Sequence, residues 1–408
     1  MVAIRPFKAL RYNPETIPDL TAVISPPYDV IDPDQQEQLY RASPYNVIRL
    51  ILGKEYPNDT AQENRYARAQ RDFTAWRDAR ILLRDAAAAL YLIEHTFEDQ
   101  GQPRTRLGFI ALLELVDGIE QHVYRHEATL AAPKADRTRL LEAVPANLEP
   151  IFCVYPDEGG AIQAALKQVT AQRDGAMRAT INGESVRVWA ITDPALIEQV
   201  KRHLASVAVL IADGHHRFEV AYGHRRQYGA LMSYFVSMAE PSLVVRPIHR
   251  IVTAQATNGD RALRQLCQLE PAPHLPALLT QLAQETGQGV FGYTDGKQLY
   301  NVKVRSDQLA QWLIAPAVPL PLAALDVSLL HGLILPGMGL NNDAVRYTAD
   351  AAGAFEAVKT GQGRAAWLLR GIPLTQVYAL AAQGLRLAPK STYFYPKVPS
   401  GLTINSFA

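Results

Sequence analysis

The stretch VAVLIADGHHRFEVAYGHRR, residues 207–226, passes from an uninterrupted apolar run into a helical pattern through Asp213-Gly214-His215-His216-Arg217. Val207 to Ala212 has the apolar, β-branched character of a strand buried on both faces, and Phe218, Ala221 and Tyr222 then mark one side of a helix. A strand that turns through glycine into a helix presents several backbone N–H groups and the positive end of the helix dipole at one point. That point is a natural anion site, to which His215, His216 and Arg217 add donors. Basic residues in a first helical turn oppose the dipole unless an anion offsets them. The plainer alternative is that Asp213 caps the helix and the histidines are solvated. Adjacent histidines on a helix diverge by about 100°, and no histidine follows at the i+4 spacing, so a histidine-built metal site is not expected. A magnesium ion that arrives with a phosphate substrate and touches Asp213 or Asp29 stays open, because magnesium needs few protein ligands.

At 408 residues the chain exceeds what one core usually organises, which points to two domains. Charged residues make up 20% and the formal net charge is +1, a balance that disfavours bulk nucleic-acid or acidic-membrane binding. Cys153 and Cys267 sit in apolar company and read as buried, reduced thiols, which suits a cytoplasmic protein. The first residues, MVAIRPFKAL, lack the apolar core of a secretory signal. The apolar segment 312–340 is broken by Pro319, Pro321, Asp326, His331 and Pro336 and is expected in a protein core, not a membrane.

Around the opening motif, Asp32-Pro33 predicts a helix start, and Tyr66, Ala69, Phe73 and Trp76 have helical spacing. Strands at residues 89–97 and 106–116 form a predicted hairpin, and residues 161–205 read as helix, strand pair, helix. Gly287 to Gly292 matches G-x-G-x-x-G but follows a helical run, the reverse of a dinucleotide fingerprint, so Gly287 is expected to cap that helix. No G-x-x-x-x-G-K-[ST] occurs, which excludes a P-loop.

Three more clusters offer phosphate-compatible donors. Residues 125–137 bring Arg125, His126, Glu127, Lys134 and Arg137; residues 246–250 bring Arg246, His249 and Arg250; and a proline-bounded loop, PKSTYFYPKVPSGL, brings Lys390, Ser391, Thr392 and Lys397. Each alone reads as a solvated turn, but together they predict a positive pocket for a small anionic ligand. Asp29, held behind Pro26-Pro27-Tyr28, joins Asp213 and Glu127 as a candidate acid or base.

The five motifs SPPYDVI, RHEATL…PKADR, ADGHHRFE, RPIHRIV and PKSTYFYPKVPSGL, in this order, resemble a widespread bacterial and archaeal family known only as a domain of unknown function and often labelled ParB-like. The D-G-H-H-R motif is similar to that of free-serine kinases of the ParB/sulfiredoxin fold, which phosphorylate L-serine from a nucleotide. The resemblance implies an α+β fold. A ParB/sulfiredoxin-like mixed-sheet domain with the phosphate-binding strand–turn–helix would span 1–255, and a mixed α+β domain with the KSTYFYPK loop 256–408. It also implies Asp213, Gly214, His215, His216 and Arg217 as the phosphate and substrate site, where Asp213 and His216, joined by Asp29, are expected as the catalytic set. Those kinases carry a glutamate base near their N-terminus that has no evident match here, and Asp29 is the expected substitute. The expected activity is phosphoryl transfer to a small hydroxyl-bearing metabolite, serine first, from a nucleotide or pyrophosphate donor with Mg2+. A ParB-like nucleotide-binding regulator and a phosphoester hydrolase using the same anion site are the alternatives, and self-association stays open.

Overall fold

A computed structural model describes residues 1–129, 131–172, 177–314 and 317–407. The chain divides into two compact units. The first comprises Met1–Arg125, Thr129–Val244 and Pro396–Ala408, and the second comprises His126–Ala128 and Val245–Tyr395. The compact units divide after Val244, and the tail from Pro396 belongs to the first unit.

The first unit is built on a nine-stranded mixed sheet. From one edge its strands run Val123–Arg125, Val209–Asp213, Ile151–Tyr155, Ala230–Ser237, Gln102–Glu114, Leu90–Asp99, Glu184–Ile191 and Met177–Ile181, with Ile4–Arg5 added to Gln102–Glu114. Val209–Asp213 lies parallel to Val123–Arg125 and antiparallel to Ile151–Tyr155. The long hairpin is where the sequence placed it. Its two turn residues, Gln100 (φ 53°) and Gly101 (φ 75°), are both left-handed, the geometry whose twist matches that of paired strands. Asp32 caps helix Pro33–Ala42 by accepting from the Gln35 N–H at 2.8 Å. Helices Ala161–Gln172 and Pro194–Ser206 lay Ile162, Leu166, Val200 and Leu204 into a core with Phe109 and Phe235, whose rings stack at 5.4 Å. Phe218 is fully buried in the same core, a burial that contributes about 1.5–3 kcal/mol and anchors helix His215–Gly223 to the sheet.

The second unit has a six-stranded antiparallel sheet in the order Cys267–Ala272, Leu299–Val304, Val290–Thr294, Ala365–Leu368, His249–Val252, Val345–Thr348. Leu278 and Leu282 of helix Leu275–Gln284, and Ala354 and Val358 of helix Ala351–Lys359, pack in one core with Ile251 and Leu368 of its strands. The proline-broken apolar segment forms short helical turns within this unit, and Asp326 is matched by Arg370 at 2.6 Å. Among the described residues no helix is long and apolar enough to cross a membrane.

Two local expectations are corrected. Gly287 does not cap its helix: the helix ends at Gln284, and Arg370 takes up the carbonyls of Glu285 and Gly287 at 2.7 and 2.6 Å, so no left-handed glycine is required there. The KSTYFYPK segment is not a loop throughout. Thr392–Tyr395 is a strand paired with Val244–Pro247, burying Thr392 and Phe394 in the alternation that β-branched and aromatic residues favour.

Candidate active site

The opening motif folds as its sequence dictates. The pairing of Val209–Asp213 with Ile151–Tyr155 shifts register between Ile211 and Asp213, and Gly214 (φ 93°) then turns the chain into helix His215–Gly223. Only glycine fits there, because a Cβ would lie 2.8 Å from Ile151 Cγ2 in addition to the left-handed backbone. Gly214→Ala is expected to cost about 2 kcal/mol, the left-handed penalty plus the contact, measured by chemical unfolding. Glycine brings no side chain to cap the helix. His215 is buried and His216 half-buried, the divergence their adjacency requires.

Arg217 does not face forward as a phosphate fork. It folds back to donate from Nη2 to Asp213 Oδ2 at 2.6 Å and from Nη1 to the Pro150 carbonyl at 2.5 Å. Burial would lower its pKa, but Glu149, Asp213 and Asp29 outweigh burial and hold the cation above its ordinary value. Arg217 thus fixes Asp213 in place.

The other oxygen of Asp213 meets the tail. Lys397 Nζ lies 2.6 Å from Asp213 Oδ1 and 2.6 Å from Asp29 Oδ2. Asp29 stands in a 3-10 turn, Tyr28–Val30, directly after the rigid Pro26-Pro27. Side-chain exposures of 29% for Asp29, 18% for Asp213 and 11% for Lys397 leave the three groups reachable yet poorly hydrated. Burial works against the Lys397 charge, but Asp213 and then Asp29 more than offset it and raise its pKa. The tail is firmly held. Arg106, fully buried near the rings of Phe152, Tyr234 and Phe97, donates to the Pro396 carbonyl at 2.7 Å. Ser400 exchanges backbone bonds with Ser25.

Behind this triad lies a second layer, of which sequence reasoning nominated Arg137 and missed Glu149. Glu149 is buried and accepts from the Tyr28 N–H at 3.1 Å and the Ser400 hydroxyl at 2.9 Å, with Arg137 Nη1 3.5 Å from its other oxygen. Arg137 lies 3.8 Å from the Tyr28 ring centre and pairs with Asp136. Burial pushes the Tyr28 phenol up to about 12 despite Arg137 and Arg217. Arg137, Glu149 and Arg217 form the polar wall of a cavity of about 60 Å³ whose other wall includes Leu140, Leu148 and Val220. A cavity of that size, with charged side chains on one wall and aliphatic ones on the other, has room for a few waters or a small chemical group. The available signal for Glu149 was a lone acid set between Leu148 and Pro150, just before a fully apolar strand.

The remaining nominated residues are divided between the two units. Arg125 and Lys134 pair with Glu219 of the motif helix at 3.1 Å each, and Thr129 donates to the same carboxylate. His126, Glu127, His249, Arg250, Lys390, Ser391 and Thr392 belong to the second unit. There His126 Nε2 meets Thr392 Oγ1 at 2.9 Å, Glu127 accepts from the Ser391 N–H at 3.3 Å, and the Arg250 Nη2 donates to the Lys390 carbonyl at 3.0 Å. The nominated residues thus fall in both units, and in the first the basic side chains are matched by carboxylates. Among the described residues no cluster of three histidine, cysteine or carboxylate side chains could hold a metal ion.

The chain belongs to the DUF1015 family, described as a protein of unknown function, whose model matches residues 4–328. No curated protein matches it. Among solved structures it is similar to a conserved hypothetical protein from Pyrococcus furiosus (TM-score 0.37, 12% identity, 72% of this chain and 95% of that one). It is also similar to a free serine kinase in complex with AMP (TM-score 0.35, 13% identity, 70% and 86%) and to C-terminally truncated SbnI from Staphylococcus aureus (TM-score 0.38, 9% identity, 72% and 87%).

Proposed function

We propose that this member of the DUF1015 family transfers a phosphoryl group to a small hydroxyl-bearing metabolite, with serine the leading acceptor, at the Asp29–Lys397–Asp213 cluster of a ParB/sulfiredoxin-like first unit. The observation that carries the reading is Lys397: one poorly hydrated ammonium shared by two carboxylates at the head of a glycine-turned helix. A compact ammonium and a helix N-terminus attract phosphate, and a carboxylate beside them takes the proton of an attacking hydroxyl.

In this scheme Lys397, His216 and the first turn of the helix hold the donor phosphate, and Arg217 orients Asp213. The acceptor oxygen forms a bond to phosphorus as the bridging phosphorus–oxygen bond of the nucleotide or pyrophosphate breaks. The acceptor proton passes to Asp29 or Asp213, and the leaving phosphate departs with the bond electrons. Mg2+ carried in by the donor fits the same two carboxylates, which would hold it while it neutralises phosphate charge.

Phosphorus NMR of the protein with serine and ATP, ADP or pyrophosphate tests this. A phosphomonoester signal that is lost in Asp29→Asn is the expected result. Inorganic phosphate released at the same rate with and without acceptor would instead identify a hydrolase, and donor binding without any turnover a nucleotide-binding regulator.

A further inference from the structure

The second unit holds a buried charge that lacks a counter-ion. Arg250, in the sheet strand His249–Val252, has no solvent exposure. Its guanidinium donates to the Ile248 carbonyl, to the Lys390 carbonyl at 3.0 Å and to His331 Nε2 at 3.0 Å. Among the described residues no carboxylate oxygen lies within ion-pair distance of it. Folded proteins pair a buried guanidinium with an anion, because two carbonyls and a neutral imidazole offset its lost hydration poorly. Burial accordingly pulls the Arg250 pKa down to about 10, against the weaker opposing pull of Tyr347 and Glu127.

The neighbours are arranged as if the charge were meant to stay accessible to a ligand. His331 accepts from Arg250 at Nε2, so its Nδ1 carries the proton and donates to Asn342 Oδ1 at 2.7 Å. That half-buried ring stacks on Tyr347, which is itself exposed and 5.1 Å from the guanidinium carbon. The acceptor on the other side, the Lys390 carbonyl, belongs to a solvent-facing turn in which Lys390 has φ 61°, a conformation that side-chain-bearing residues rarely hold. A rotation of that turn removes the carbonyl from Nη2 and leaves the Lys390 ammonium at the rim.

We propose that the second unit carries an anion site of its own, centred on Arg250 and covered by the Lys390 turn, which takes a phosphate-type oxyanion in place of the Lys390 carbonyl. The site is independent of the reaction assigned to the first unit.

The test is side-chain NMR of the histidine-labelled full chain during titration with pyrophosphate, inorganic phosphate, or chloride at matched ionic strength. Burial holds down the protonation of His249 and His331, the Arg250 charge adds to it, and an oxyanion beside Arg250 offsets that second contribution. Saturable shifts of both rings with either phosphate species, and protonation of His331 at higher pH when bound, are expected. Lys390→Ala, a surface change that leaves the core intact, should weaken the response about threefold or more, Arg250→Lys should abolish it, and Lys397→Met in the first unit should leave it unchanged. Absence of a saturable shift up to about 10 mM pyrophosphate, well beyond a millimolar dissociation constant, would overturn the proposal. So would an equal response to chloride, or a Lys390→Ala variant that binds as wild type. Loss of phosphoryl transfer in Asp29→Asn with the His331 response intact would separate the two sites.

Discussion

Replacing Lys397 with methionine should reduce phosphoryl transfer by about 10²–10³-fold, the range seen when one electrostatic group that stabilises developing charge is removed. The same change leaves Asp29 and Asp213 facing each other without the ammonium that lies 2.6 Å from both, and a broken buried pair costs about 3–5 kcal/mol. Their 18–29% exposure puts the expected loss near the lower end of that range, about 3 kcal/mol. The Lys397 pKa is raised in the folded protein, so its contribution is fully present below the unfolded lysine value of about 10.4 and disappears only as pH rises through the folded value. Urea unfolding at pH 7 and phosphorus NMR of the same samples check both effects. Lys397→Arg keeps the charge but replaces a compact ammonium with a planar fork, and should recover stability more fully than turnover. A methionine variant that turns over as wild type would remove Lys397 from the chemistry.

The second large effect is acid sensitivity of the second unit. His249 is buried beside Arg250, its Nδ1 accepts from the Leu369 N–H at 3.1 Å, and burial followed by Arg250 pulls its pKa down to about 4. The unfolded chain binds the proton near 6.5, so the unfolded state gains protons first as pH falls. Stability from this residue is complete above about pH 6.5 and is lost between there and pH 4, about 3 kcal/mol in total at 1.36 kcal/mol per unit. His249→Asn supplies a neutral acceptor for Leu369 without the titration, and should flatten the stability profile between pH 6.5 and 4 while costing some stability at pH 7. A variant with the same acid slope as wild type would assign that slope to other groups of the unit, such as His331, whose pKa burial also lowers.

The local features were legible because their physics is local. The Asp32 cap, the long hairpin and the Gly214 strand-to-helix turn each follow from a few neighbouring residues. The partners of the nominated charges were not legible. Asp29 and Lys397 are 368 residues apart in sequence, and nothing in PPYDVI or YFYPK states that one side chain will neutralise the other. Arg217 read as a phosphate fork because the sequence does not say that its guanidinium turns back to Asp213, four positions earlier, and Glu149 was overlooked. Within the cluster at 390–397, sequence proximity hides the boundary after Tyr395, which assigns Thr392 and Lys397 to different units.

A crystal soaked with pyrophosphate or a nucleoside diphosphate tests the central claim most directly. A phosphate oxygen about 2.8 Å from Lys397 Nζ, with the phosphate against the first turn of the motif helix, is the predicted result. A fully occupied ligand that lies away from Lys397, with the ammonium still shared by Asp29 and Asp213, would contradict it.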